Sequence, residues 1–128
     1  MKTYGKVLIV DDDPTHLYLM QSILHEDGYI TEVIANPKEV VNTLETNEFK
    51  ILLLDIMMPG MDGFEVLQEI RTRKNLAKVK VIIISAKTDS WSIKNALDLG
   101  AFDYITKPID VQDIRNKVKS AMIDSIKK

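Results

Sequence analysis

Five short apolar runs, separated by stretches with helical spacing, constrain this chain more than any other feature. They are KVLIV (6–10), YITEVI (29–34), KILLLD (50–55), KVIIIS (80–85) and FDYIT (102–106). The first, third and fourth are nearly continuous hydrophobics, rich in β-branched residues and leucine. Strands of that kind are buried on both faces, as in parallel sheets covered by helices, whereas half-wet antiparallel strands alternate apolar with polar residues.

The segments between the runs carry helix punctuation. Asp13 caps and Pro14 opens a first helix that closes at Gly28, with His16, Leu19, Met20 and Ile23 as its inward stripe. Asn36 and Pro37 repeat the opening, with Val40, Val41 and Leu44 as the buried face. Asp62, with Glu65 three residues on, resembles a capping box ahead of Phe64, Leu67 and Ile70. A fourth helix is predicted from about Thr88 to Leu99, stopping at Gly100. The fifth starts after Pro108 and Asp110, with Val111, Ile114, Val118 and Met122 as its stripe. Strand and helix therefore alternate five times, which predicts an α/β fold with right-handed crossovers, a parallel sheet and helices on both faces.

At 128 residues the chain has room for one packed core, so residues 1–128 are read as a single domain, whether or not it is the first part of a longer protein. A net charge of -2 with interspersed signs offers no basic face to a phosphate backbone, so a nucleic-acid-reading activity would belong to another domain. Zero cysteines exclude disulfides and thiolate metal sites and fit a reducing compartment, the cytoplasm. The first apolar run is cut by three aspartates, far short of a signal-peptide core or a membrane span.

In sheets of this kind function collects at the carboxyl ends of the strands. The first strand ends in Asp11, Asp12 and Asp13, the third in Asp55, the fourth in Ser85 and the fifth in Thr106, Lys107 and Pro108. If the first and third strands are neighbours, Asp11, Asp12 and Asp55 converge, and such a group of carboxylates needs a compensating cation. Mg²⁺ suits it, because that ion takes hard oxygen ligands from one or two carboxylates and keeps open positions for a phosphate oxygen. With Lys107 as a point charge and Ser85 as a hydroxyl donor, the set matches what phosphoryl transfer needs. A carboxylate can be the nucleophile, forming an aspartyl phosphate, and Asp55 stands alone at the end of the central strand. Singly, each of these residues has a plain structural reading: Asp13 as an N-cap, Asp11 and Asp12 as solvated turn acids, Asp55 as an Asx-turn residue. Lys107 reads as a solvated lysine and Ser85 as a loop hydroxyl. Their joint occurrence at the strand ends points to a site.

The set LIVDDD, LLLDIMMPGMDG, IIISA and GAFDYITKP resembles the receiver domain of bacterial two-component response regulators, over essentially the whole chain. The resemblance implies a flavodoxin-like, doubly wound (βα)5 sandwich of strand order 2-1-3-4-5, for which a chemotaxis member of that family is a standing example. It also implies that Asp55 is the phosphoacceptor and that Asp11 and Asp12 are the acidic pair, Asp12 the more direct Mg²⁺ ligand. Met57 would lend its backbone carbonyl to the ion, Lys107 would hold the phosphoryl group, and Ser85 would swing onto it. Tyr104 would be the aromatic switch, and the Lys107–Pro108 bond would be cis. The implied partners are a sensor histidine kinase or phosphotransfer protein, and an output domain or target meeting the surface of the fourth helix, fifth strand and fifth helix. Such a domain catalyses only its own phosphorylation and dephosphorylation. Two positions depart from commoner choices: Ser85 replaces a frequent threonine, and Met57 puts a thioether where a polar side chain often positions the hydrolytic water, which predicts a longer-lived phosphoryl group.

A rival reading comes from DDDPT, which fits D-x-D-x-T through Asp11, Asp13 and Thr15 and is similar to haloacid-dehalogenase-like phosphatases with Asp11 as nucleophile. That reading gives the DIMMPGMDG loop no role. A flavin-binding module of similar fold is disfavoured, because three aspartates after the first strand would repel its phosphate. His16 and His25 each stand alone on a helix face and are read as packed or solvated imidazoles. Met58 and Met61 lie in a loop and suit a partner surface, and Trp91 falls off its helix stripe and is expected half exposed. Ile123 and Ile126 lie beside the main stripe of the last helix, as a dimer seam or a lead into an output domain would.

Overall fold

A computed structural model describes residues 5–58 and 60–126. Five strands form one parallel sheet: β1 (Lys6–Val10), β2 (Ile30–Ile34), β3 (Ile51–Asp55), β4 (Lys80–Ser85) and β5 (Asp103–Thr106). Their spatial order is β2-β1-β3-β4-β5, the doubly wound order the sequence reading expected. Two further two-residue strands, Met57–Met58 and Met61–Asp62, pair antiparallel with each other in the loop after β3 and stand apart from the main sheet. The helices are α1 (Pro14–Glu26), α2 (Val40–Thr46), α3 (Gly63–Thr72), α4 (Ser90–Asp98) and α5 (Val111–Ile126). No helix among the described residues is long and apolar enough to cross a membrane.

The period-2 geometry of a strand divides each apolar run between two cores. Leu8, Val10, Leu52, Leu54, Val81 and Ile83 face one core, closed by Val40, Leu44, Val66, Leu67, Ile70 and Ala96 from α2, α3 and α4. Val7, Ile9, Ile51, Leu53, Ile82 and Ile84 face the other, closed by Met20, Ile23 and Leu24 from α1 and by Ile114, Val118 and Met122 from α5. Every residue of β3 is buried, so its unbroken hydrophobicity is used on both faces. Fully burying a side chain of this size stabilises by roughly 1.5–3 kcal/mol, and the central strands supply such residues without interruption.

Cap chemistry sets the helix starts. Asp13 Oδ1 accepts from the Thr15 amide at 2.9 Å ahead of Pro14, and Asp62 Oδ1 accepts from the Phe64 amide at 2.8 Å. Asn36 and Pro37 open a single 3₁₀ turn (Pro37–Glu39) before α2, where an immediate α-helix was expected. Two stripe assignments shift. Leu19 is 37% exposed and Val111 40%, and Leu24 and Ala121 take the buried positions instead. Met58, expected on a partner surface, is buried against the α2–α4 core, because pleating of the short ladder turns it inward and leaves Met57 outward. Trp91 is more exposed than expected, and the Met61 side chain lies outside the described residues.

Candidate functional site

Register alone delivers the acidic and hydroxyl groups to one rim. Asp11 follows β1 directly and its amide donates to the Ile34 carbonyl at 3.3 Å, while Asp55 ends β3 opposite Ile84 of β4. Ser85 ends β4 opposite Thr106, and the Lys107 amide donates to the Ser85 carbonyl at 2.8 Å, which fixes the lysine beside the serine. The Lys107–Pro108 peptide is cis.

The rim is an ion cluster with little access to water. Asp11 is wholly buried and Asp55 is 2% exposed, while Asp12 faces solvent. Lys107 Nζ donates to Asp55 Oδ2 at 3.0 Å and to Asp11 Oδ2 at 3.2 Å. The opposite carboxylate oxygens are tied to backbone: Asp11 Oδ1 accepts from the Asp13 amide at 2.9 Å, and Asp55 Oδ1 from the Met57 amide at 2.8 Å. Burial pushes the Asp11 carboxyl above its ordinary value; the Asp55 charge adds to the rise, and the Asp13 amide and Lys107 offset it only in part. Burial by itself would lower Lys107, but hydrogen bonds and charge from Asp55 and Asp11 outweigh it and hold the ammonium above its usual range.

Oxygens of Asp11, Asp12 and Asp55 all lie within 4.8 Å of one another. Three hard oxygen donors, one of them open to water, make a donor set compatible with Mg²⁺. The Met57 amide is anchored on Asp55, and its side chain points outward, 54% exposed. Ser85 is buried, and its Oγ accepts from the Lys87 amide at 3.0 Å. Tyr104 is also buried, with its hydroxyl donating to the Lys87 carbonyl at 3.0 Å. Every residue singled out at the strand ends is thus on one rim, with Tyr104 one residue away from direct contact through Lys87.

Two further residues join the rim without standing at a strand end. His16 does not belong to the inward apolar stripe of α1: its Nδ1 lies 3.1 Å from Lys107 Nζ and 3.4 Å from Asp11 Oδ2. The first turn of α1 overhangs the strand ends, so a position that faces the core farther along the helix faces the rim here. The signal was its place three residues after the Asp13 cap, immediately behind the acid cluster. Lys87 was missed because it acts through its backbone, which leaves no residue signature.

Residues 7–119 match the response regulator receiver domain. The chain belongs to that family. Among relatives of this receiver domain, the transcriptional activator protein IrlR of Burkholderia pseudomallei is 33% identical over 118 residues, covering 91% of this chain and 50% of IrlR. The alkaline phosphatase synthesis transcriptional regulatory protein PhoP of Bacillus subtilis is 31% identical over 117 residues, 91% of this chain and 48% of PhoP. The chain thus spans about half the length of the curated relatives it matches. Among solved structures, a Francisella response regulator receiver domain superposes with a TM-score of 0.87 at 30% identity, covering 94% of this chain and 98% of that one. The phosphatase reading loses ground on chemistry as well: Asp13, its second motif acid, is engaged as the α1 cap, and Asp11 is enclosed beneath Lys107.

Proposed function

We propose that this receiver domain is a phosphorylation-controlled switch in which Asp55 accepts a phosphoryl group from the phosphohistidine of a sensor histidine kinase or phosphotransfer protein. The observation that carries this reading is the placement of Asp55 at the end of the central strand, with Lys107 Nζ at 3.0 Å and oxygens of Asp11 and Asp12 within 4.8 Å. A carboxylate oxygen of Asp55 attacks phosphorus, the phosphorus–nitrogen bond breaks, and the donor imidazole leaves with its electron pair. Held by Asp11, Asp12, Asp55 and the Met57 carbonyl, Mg²⁺ would supply charge neutralisation for the phosphoryl oxygens.

Lys107 is preorganised to donate to the incoming phosphoryl group, because its ammonium already bridges Asp11 and Asp55. Ser85 Oγ accepts from Lys87, which leaves the hydroxyl proton to point at the phosphoryl group. Drawing Ser85 toward that group pulls on Lys87, and Lys87 in turn holds the Tyr104 hydroxyl. A local charge at Asp55 is thereby coupled to the surface of α4, β5 and α5, whose exposed Leu97 and Trp91 offer apolar contact to an output domain or target protein. Hydrolysis by water returns the carboxylate, so the domain turns over no independent substrate. We place this cycle in the cytoplasm, on the cysteine-free composition.

Incubation with Mg²⁺ and phosphoramidate, followed by borohydride trapping and mass spectrometry, tests the reading. The trapped residue is expected to be Asp55, with no incorporation in Asp55→Asn. Trapping at Asp11 would overturn the switch in favour of a phosphatase.

A further inference from the structure

The ammonium of Lys107 has three N–H donors and no acceptor. Two of them meet Asp55 Oδ2 and Asp11 Oδ2, and the third meets His16 Nδ1 at 3.1 Å. Every proton of the ammonium therefore has one acceptor, and because an ammonium can only donate, Nδ1 is the acceptor of the third contact. Asp11 Oδ2 and Asp13 Oδ2 also lie within ion-pair distance of Nδ1, at 3.4 and 3.5 Å.

We propose that His16 is a positioning residue for phosphoryl transfer: its Nδ1 accepts the third N–H of Lys107 and holds the ammonium over Asp55. This rests on the reading of Asp55 as phosphoacceptor and Lys107 as its phosphoryl-binding cation. The geometry explains why an acceptor other than a carboxylate is useful there. Asp11 and Asp55 already supply two negative charges to Lys107. A third anion would compete with the phosphoryl group for the ammonium, and an apolar side chain would leave one N–H without a partner in a rim where Lys107 is only 16% exposed. The imidazole fixes the direction of the ammonium without taking its charge.

The test uses phosphoramidate with Mg²⁺ on the wild-type chain, His16→Leu and His16→Asn. Leucine keeps bulk and removes the acceptor; the amide oxygen of asparagine reaches the place of Nδ1. His16→Leu is expected to slow phosphorylation of Asp55 about tenfold, the size of one lost hydrogen bond to a charged group. His16→Asn is expected to recover most of the rate, which restored folding or bulk alone would not explain. In the wild type without phosphodonor, the imidazole ¹⁵N shifts should report a proton on Nε2 and none on Nδ1. A wild-type rate in His16→Leu, no recovery in His16→Asn, or a proton on Nδ1 overturns the role of His16 while leaving Asp55 as phosphoacceptor. No phosphorylation of the wild type at Asp55 overturns both.

Discussion

The Tyr104 hydroxyl donates to the Lys87 carbonyl at 3.0 Å, and the amide of the same Lys87 donates to Ser85 Oγ, also at 3.0 Å. One loop residue thus joins the hydroxyl at the end of β4 to the aromatic in β5. Tyr104→Phe keeps the buried ring and deletes the bond, so stability should fall by about 0.5–1.5 kcal/mol. Amide hydrogen exchange at Lys87 should quicken at the same time. Unchanged melting and exchange would show that the bond does not order the loop.

Asp11 predicts a pH dependence of known sign. Burial raises its carboxyl above the ordinary 3.8, so the folded chain binds that proton more tightly than the unfolded chain does. The stability contributed by this group therefore falls as pH rises from 3.8 through the raised value. Asp11→Asn carries no such charge and should be more stable than wild type at neutral pH in magnesium-free buffer, with the gap closing in acid. Lys107 does not disturb this window, because its ammonium is held above 10.5 and its linkage appears only in strong base. Urea melts of both proteins across about pH 4–7 measure the difference; a gap that widens in acid would contradict the assignment.

Metal addition should stabilise the fold. A ligand that binds only the folded state at a hundred times its Kd contributes about 2.7 kcal/mol. Mg²⁺ should raise the melting temperature of the wild type, and EDTA should reverse the shift. Asp12 is exposed, so Asp12→Asn should leave the metal-free stability within about 0.5 kcal/mol while shrinking the Mg²⁺ shift. An equal shift in both proteins would remove Asp12 from the ligand set.

Gly63 opens α3 beneath Ile56, and a Cβ there would run into the Cα, Cβ and Cγ2 atoms of Ile56. The neighbour is backbone and cannot give cheaply. Gly63→Ala should destabilise by about 1–3 kcal/mol and displace the turn that seats the Met57 amide on Asp55. Slower phosphorylation together with the lower melting point is the expected pair. Wild-type values of both would show that the loop relaxes freely.

The positions of Asp11, Asp55, Ser85 and Lys107 were legible in the sequence because strand ends are set by local hydrophobic pattern, and a parallel sheet puts those ends on one rim. Caps at Asp13 and Asp62 were legible for the same reason, since an N-cap bonds backbone two or three residues away. Met58 was not: whether a loop methionine turns to solvent or to the core depends on the two-residue ladder with Met61 and on the space beneath it.

His16 marks the boundary between the two kinds of information. Its periodicity on α1 is that of a core position, as for Met20, and only its place just behind the acid cluster hints otherwise. Only the docking of α1 across the sheet, with its first turn beyond the strand ends, puts the imidazole 3.1 Å from an ammonium ninety-one residues later. The strands, the helices and the chemistry available at the rim follow from periodicity and residue type. Tertiary structure decided which groups meet: Lys107 between Asp11, Asp55 and His16, and Lys87 between Ser85 and Tyr104. Contacts of that range are set by helix placement and backbone direction, and neither is written in local pattern.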